Sequence, residues 1–357
     1  MPSTGSSNYE PQGKPKPVVG RGDFIFAVMY MDHAYIYMMC KELIEAGATL
    51  KWVYDPDSAR VGKFLEAFPD AKVASHEDEI LRDAEVQLVA STTIPNLRAA
   101  LGVKVMECGK DFITDKPPFT ALDQLYLAKD AALKTGKKFA ITYSERIHNE
   151  SAVFAGQLIQ DGAIGRVVQV LGVGSHLINN FPRPDWFFTR EQNGGVLCDL
   201  ATHQIDSFLY YAGCKDARVV RSNVANYHNK QYPELDDYGD ATLIGDNGAT
   251  SYFRVDWLSP KSLQTWGDLR TFIQGTDGYI ELRKNVDVAR SREGNQLYLV
   301  DSQGERHLEL QGKVGYPYFG QLILDCLNRT ENAMTQEHAF KAAELTLLTQ
   351  KYAVHLE

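Results

Sequence analysis

The chain has 357 residues, of which 44% are hydrophobic and 23% charged, and its formal net charge is −9. That length folds as two domains or one large one, and it buries about three-quarters of its unfolded surface without help from disulfides or metals. Ordinary globular proportions exclude collagen, coiled coil and wholesale disorder. An excess of acidic residues, 46 against 37 basic ones, excludes a general nucleic-acid binder, because phosphate contacts need a cationic surface.

Met1 to Asp23 is rich in Ser, Gly, Pro and Lys and has no apolar core. Residues 1–22 are therefore expected to be an unstructured tail, neither signal peptide nor membrane anchor. Phe24 to Met29 reads as a buried strand and is followed by a helix from about His33 to Ala46, ended by Gly47. Thr49 to Tyr54 is a second strand closing on Asp55-Pro56-Asp57, with a helix from Ser58 to Phe68 that Pro69 stops. Val86 to Ser91 is another strand, and Thr92, Thr93 and Pro95 lead into a helix from Asn96 to Cys108. Asp111 to Thr114 is a short strand before Asp115-Lys116-Pro117-Pro118, then a helix spans Leu122 to Lys134 and a strand Lys138 to Thr142. Strands alternating with helices in this way, six in all with these five placed, predict a Rossmann-like, doubly wound parallel sheet over residues 23–146.

After Arg146 the pattern changes. A helix from Ser151 to Gln160 precedes long β-rich runs at Arg166–His176, Val219–His228, Ala241–Ile244, Thr250–Trp257, Thr271–Gln274 and Tyr279–Arg283. A helix from Gly195 to Tyr211 interrupts them, and helices at Phe319–Asn328 and Gln336–Val354 close the chain. Residues 147–357 are expected to form an α+β domain, a mostly antiparallel open sheet with helices on one face. No apolar run approaches the ~18 to 20 residues of a membrane span. Cys40, Cys108, Cys198, Cys214 and Cys326 are odd in number, scattered and never spaced CxxC. They predict neither a disulfide framework nor a zinc site, and a reducing compartment, the cytoplasm.

Ligands of a parallel sheet bind beyond the carboxyl ends of its strands. Those ends carry Tyr30-Met31-Asp32-His33, Asp55, Thr92-Thr93-Ile94-Pro95-Asn96 and Asp115-Lys116-Pro117. A dinucleotide motif GxGxxG would place its glycines at Tyr30, Asp32 and Tyr35, and all three are missing. Bulky side chains there, and the charge of Asp32, oppose a diphosphate, so a loop that binds no nucleotide is one reading. Asp55 is the other: a carboxylate ending the second strand suits a ribose diol and disfavours a 2′-phosphate, favouring NAD over NADP. Asp before Pro is also a routine turn former. Lys116 at a strand end is aimed into the cleft, where a partly desolvated amine can exchange a proton with a substrate hydroxyl. A random lysine in such a turn would more often be a surface salt-bridge partner.

The stretch Gly194-Gly195-Val196-Leu197-Cys198-Asp199-Leu200-Ala201-Thr202-His203-Gln204-Ile205-Asp206 opens a helix on two glycines. Asp199 and His203 are four apart and should share a face, so the carboxylate could hold the imidazole in one tautomer for acid–base work. A satisfied core histidine is the bland alternative. A metal pair is weak, because no further His or Glu stands at ligand spacing. Arg146, His176, Arg183 and Trp186, the last two in the aromatic loop Phe181–Phe188, could hydrogen-bond and stack on a sugar. The same aromatics could form a core or a subunit interface. Arg254, Asp256, Trp266, Asp268 and Arg270 suggest polar decoration of an exposed sheet face.

A strand–helix half ending in Thr-Asp-Lys-Pro, followed about eighty residues later by GGxxxDxxxHxID, resembles the glucose–fructose oxidoreductase/inositol dehydrogenase (Gfo/Idh/MocA) family over nearly the whole chain. The resemblance implies an active-site lysine at Lys116, with Asp115 in place of the usual glutamate, and a helix acid and histidine at Asp199 and His203. It also implies hydride transfer between NAD(P) and a secondary hydroxyl of a sugar or polyol, and a homo-oligomer, dimer or tetramer, formed through the second sheet. Cofactor contacts would come from Asp32, His33, Asp55, Thr92, Thr93, Pro95, Asn96, Asp115 and Lys116. Two departures stand out: the glycine loop is lost, and Arg98 or a neighbour replaces the usual histidine after Asn96. Two other readings keep the fold: redox-neutral cleavage of a sugar through a transient keto intermediate, and a sugar-binding regulator that has lost its nucleotide.

Overall fold

The computed structural model describes residues 9–11, 13–178 and 182–357. A six-stranded parallel sheet is built from β1 (Ile25–Met29), β2 (Thr49–Tyr54), β3 (Lys72–Val73), β4 (Leu88–Ser91), β5 (Asp111–Asp115) and β6 (Phe139–Thr142). Its strand order is β3-β2-β1-β4-β5-β6. The order reverses between β1 and β4, which opens a crevice at the strands' carboxyl ends. Helices cover both faces, so the strands read as unbroken apolar runs: Phe26 to Met29 have no exposed surface, and all of β5 is buried. The edge strand β3 is two exposed residues and carries no such signal. The segment expected to be a free tail is tied down from Val18 onward. Val18 donates its N–H to Ala46 at 2.9 Å, packs on the core with Val19, and Gly22 donates to Thr49 Oγ1 at 2.9 Å.

The second sheet is mixed but mostly antiparallel. Its strands are β7 (Val167–His176), β8 (Ala217–Ala225), β9 (Tyr238–Gly245), β10 (Thr250–Asp256), β11 (Gly267–Gly275), β12 (Tyr279–Arg283), β13 (Gln296–Asp301), β14 (Gly304–Glu309) and β15 (Val354–His355). They lie in the order β14-β13-β12-β11-β7-β10-β9-β8-β15, with β7–β10 and β8–β15 parallel. Burial alternates residue by residue along β9 and β11, because one face lies under helices Glu150–Gln160, Thr202–Ala212 and Gln336–Lys351 while the other is open. Tyr252 and Trp266 are exposed.

Two departures from the expected layout bear on the site. Helix Pro317–Asn328 does not stay with the second sheet. Its Tyr318, Phe319, Leu322, Ile323 and Cys326 complete the core around Phe24, Val28, Met39 and Leu43 of the first half. The expected helix from Gly195 to Tyr211 is broken into a wide turn of π type at Leu197–Ala201 and a regular helix at Thr202–Ala212. The glycines before it are needed: Gly194 and Gly195 have φ of +84° and +95°, and a Cβ on Gly195 would meet Arg190 and Gln350 at 2.7 Å. Among the described residues no helix is long and apolar enough to cross a membrane, and no three His, Cys, Asp or Glu side chains cluster to hold a metal.

Candidate functional site

The crevice between the two halves holds a cavity open to solvent, lined by residues of both. β5 delivers Lys116 to it. Asp115 is buried behind, donating nothing and accepting from His33 Nδ1 at 2.8 Å and from the Lys116 N–H at 2.7 Å. Burial pushes the Asp115 carboxyl up, but the hydrogen bond from His33 and the charges of His33, Arg98 and Lys116 outweigh it and hold it below the usual range. The Lys116–Pro117 peptide is cis. Arg98, with 1% of its surface exposed, pins this turn in place. It donates Nε to Thr93 O at 2.7 Å, and one terminal nitrogen to Asp115 O at 2.7 Å and Pro117 O at 2.8 Å. Arg98 is thus a strut between two loops, which spacing alone does not reveal.

Across the cavity, Lys116 Nζ donates to Asp199 Oδ1 at 2.7 Å and to the Asp199 backbone O at 3.0 Å. The widened turn at Leu197–Ala201 takes Asp199 off the face of His203, so the expected carboxylate–imidazole couple does not form. The acid serves the lysine instead. His203 is buried, and its Nδ1 has no hydrogen-bond partner. Burial, then the charge of Lys116, His176 and Lys284, push its pKa well below the ordinary histidine value, so the imidazole is neutral.

His176, at the end of β7, donates Nδ1 to Gly174 O at 3.0 Å and packs against Trp257 and Trp266, with ring centroids 5.3 and 4.9 Å away. Its pKa is also lowered by burial, against the pull of Glu145 and with the push of Lys116. Glu145 accepts from Gln204 Nε2 at 2.9 Å and from the buried Lys284 Nζ at 3.3 Å, while its other oxygen, 4.0 Å from His176 Nε2, has no hydrogen-bond partner. Lys284 just beyond β12 and Glu145 lie 139 residues apart, so no sequence spacing links them. Arg146 is not in the cavity lining. Asp206 binds both its Nε and a terminal nitrogen, at 2.7 and 2.8 Å, and also accepts from His338 at 2.8 Å. That pairing removes the guanidinium from substrate reach. Arg183 and Trp186 do line the cavity, with Phe187 and Trp257; Phe181 lies outside the described residues.

A dinucleotide would lie against the loops at the other strand ends. Tyr30 stands where the first glycine would be and has φ +59°, so the left-handed turn survives without its glycine. The helix Tyr35–Glu45 begins without a side-chain cap or an acidic residue in its first turn, and the N–H groups of Ile36 and Tyr37 make only long bonds, 3.4 and 3.3 Å, to His33 O and Ala34 O, so its start is compatible with an anion. Asp32 is neutralised by Arg60 at 2.7 Å. Asp55 accepts from the Met31 N–H at 2.7 Å, and Arg60 lies over it at 3.4 Å. Thr92 Oγ1 donates to His33 O at 2.7 Å and Thr93 Oγ1 to Asp32 at 3.3 Å, knitting the two loops together. Asn96 Oδ1 is buried with no donor. These residues fit a dinucleotide.

Residues 18–143 match the oxidoreductase family with an NAD-binding Rossmann fold, and residues 153–281 match the GFO/IDH/MocA C-terminal domain. An oxidoreductase structure from Erwinia carotovora atroseptica is 47% identical, with a TM-score of 0.91, over 94% of this chain and 100% of that one. The chain belongs to the Gfo/Idh/MocA family. As a Gfo/Idh/MocA protein it is an oxidoreductase built on an NAD-binding domain. An uncharacterized oxidoreductase of Streptococcus pneumoniae is 28% identical over 66% of this chain and 62% of its own length. The scyllo-inositol 2-dehydrogenase (NAD(+)) of Bacillus subtilis is 25% identical over 77% of this chain and 81% of its own.

Proposed function

We propose that this Gfo/Idh/MocA protein is an NAD-dependent dehydrogenase of a secondary hydroxyl on a sugar, sugar derivative or polyol. One observation carries the reading: Lys116, just past β5, meets Asp199, on the wide turn Leu197–Ala201 of the second half, at an aromatic-walled cavity, with a neutral His203 nearby. The loop Tyr30–Tyr35, Asp55, Thr92, Thr93, Pro95 and Asn96 would hold the dinucleotide, which when bound supplies the hydride acceptor or donor. Lys116 exchanges a proton with the reacting oxygen and its charge stabilises the developing alkoxide. Asp199 holds the ammonium in place. His203, uncharged and with an unpartnered nitrogen, would position or relay the proton exchanged at Lys116 without holding it. Trp186 would offer a face to a sugar ring.

The protein is further proposed to work in the cytoplasm, where five unpaired cysteines persist. The open face of the second sheet, carrying Tyr252, Arg254, Asp268 and Arg270, would pair with a second copy. The test of the activity is NADH absorbance with NAD and a panel of aldoses, sugar acids and inositols, scyllo-inositol included. Growth of NADH with any of them is expected. A panel in which none changes the cofactor ends the dehydrogenase reading; aglycone release from a glycoside without net NADH replaces it with redox-neutral cleavage.

A further inference from the structure

We propose that Glu145 is a positioning residue of the acid–base site: braced by Lys284, it forms with His176 a buried site for one proton, filled and emptied as Lys116 loses and regains its own. This rests on the dehydrogenase reading above. Glu145 stands on the short helix Ser144–Ile147 just past β6, His176 at the end of β7 and Lys284 just beyond β12.

The geometry sets two acceptors face to face. His176 Nδ1 donates to Gly174 O at 3.0 Å, so the lone pair of the neutral ring is on Nε2. That nitrogen lies 4.0 Å from Glu145 Oε1, a buried oxygen with no hydrogen-bond partner. Lone pairs facing each other repel, and a single proton between them bonds both. The other carboxylate oxygen accepts from Gln204 Nε2 at 2.9 Å and Lys284 Nζ at 3.3 Å, which leaves Oε1 for the imidazole. Gln204 reaches Glu145 because β7 carries a glycine at 172, where a Cβ would collide with Gln204 Oε1. A buried pair such as Glu145–Lys284 adds little net stability over apolar side chains of the same size, so its charge is its contribution.

Charge balance gives the pair its task. Around His176 stand Lys116 from the turn after β5, Asp199 from the wide turn, His203 from helix Thr202–Ala212 and Glu145 itself, with Lys284 behind Glu145. Lys116 cancels Asp199 and Lys284 cancels Glu145, while both imidazoles are uncharged. When Lys116 gives its proton to a carbonyl oxygen during reduction, Asp199 loses its cation and the interior is one positive charge short. A proton from solvent, taken up between His176 and Glu145, restores the balance and leaves when Lys116 is reprotonated. Oxidation runs both moves in reverse, so one proton is consumed or released for each hydride moved. The signs agree: burial lowers the proton affinity of His176, the charge of Glu145 raises it and that of Lys116 opposes it.

The experiment is an NMR titration of the histidine Cε1–H signals in the full chain, with His176→Asn identifying the His176 signal. Its midpoint should rise in Lys116→Met, return towards wild type in Lys116→Met/Asp199→Asn, and fall in Glu145→Gln. Glu145→Gln leaves Lys284 buried and unpaired; should it fail to fold, Glu145→Gln/Lys284→Met removes both charges and keeps the midpoint below wild type. For the panel member that reduces NAD, this double variant should show kcat about tenfold below wild type, an unchanged KM, and the pH limb that tracks His176 displaced with it. A merely structural pair would be rescued in full by the second substitution. Midpoints that ignore Lys116 and Glu145, or a double variant with the wild-type kcat and pH profile, overturn the proposal. Midpoints that move as expected in a protein that oxidises no sugar or polyol uphold the proton site and sink the dehydrogenase reading.

Discussion

Replacing Lys116 with Met tests the proposed acid–base role, because Met keeps most of the unbranched stem, one atom shorter, and removes the ammonium. Two effects are lost. Proton exchange by a placed side chain accounts for about 10²- to 10⁴-fold in rate. An ammonium about 3 Å from a developing alkoxide, at an effective dielectric near 20, contributes up to about 5 kcal/mol, of which Asp199 at 2.7 Å already claims a large share. The two overlap, so kcat/KM should fall about 10³- to 10⁴-fold, or about 4 to 5.5 kcal/mol. The variant also leaves Asp199, with 16% of its side chain exposed, without its partner, at a cost of about 1 to 3 kcal/mol of stability. The double variant Lys116→Met/Asp199→Asn should regain that stability and none of the rate. Stopped-flow NADH absorbance gives the rate, NADH fluorescence titration shows that the cofactor still binds, and thermal melting gives the stability. A Lys116→Met enzyme within about threefold of wild type would refute the assignment, since no acid–base role is that small.

Other outcomes follow from the same geometry. His203 and His176 both have folded pKa values below the ordinary 6.5. Below about pH 6.5 the unfolded chain therefore binds protons that the folded one refuses. Stability is full above that pH and falls by up to about 1.4 kcal/mol per pH unit for each imidazole as pH drops; urea titrations at pH 7.5 and 5.5 measure it, and His203→Asn should flatten the slope. Arg60 is shared by Asp32 at 2.7 Å and by Asp55 and Asp57 at 3.4 Å, which leaves little charge for a 2′-phosphate. NADH should bind better than NADPH, and Asp32→Asn, by freeing Arg60, should shift that ratio towards NADPH about tenfold; fluorescence titration showing an unchanged ratio would count against it. Asp206→Asn strips the buried Arg146 of its carboxylate and should cost about 3 to 5 kcal/mol in denaturant unfolding.

What could be read in advance depended on whether a residue's neighbours lie close in sequence. β1, β2, β4 and β5 are buried between layers of helices, so their apolar runs announce them. β14, Gly304–Glu309, is polar with no fully buried residue, and β3 is two exposed residues; neither has a hydrophobic face to report. Helix Pro317–Asn328 carries an evident apolar stripe, but nothing in that stripe says which of two sheets it will cover. Of the strand-end residues, His33, Pro95, Lys116 and Pro117 line the cavity, because topology alone sends such residues to one edge.

Partner choice among charged groups is different in kind. Spacing joined Asp199 to His203, four residues away, yet the carboxylate faces a lysine 83 residues away. Coulomb attraction explains the choice: an imidazole buried beside Lys116, His176 and Lys284 stays neutral and offers a carboxylate little, whereas an ammonium offers it a full charge. Arg146 follows the same rule, drawn from the cavity by Asp206. Each such pairing removes a charge from the reaction and leaves another group exposed to it. With Asp199 spent on Lys116, the imidazole of His203 keeps an unpartnered nitrogen, and on the proposed reading it, rather than the carboxylate, would position or relay the substrate's proton.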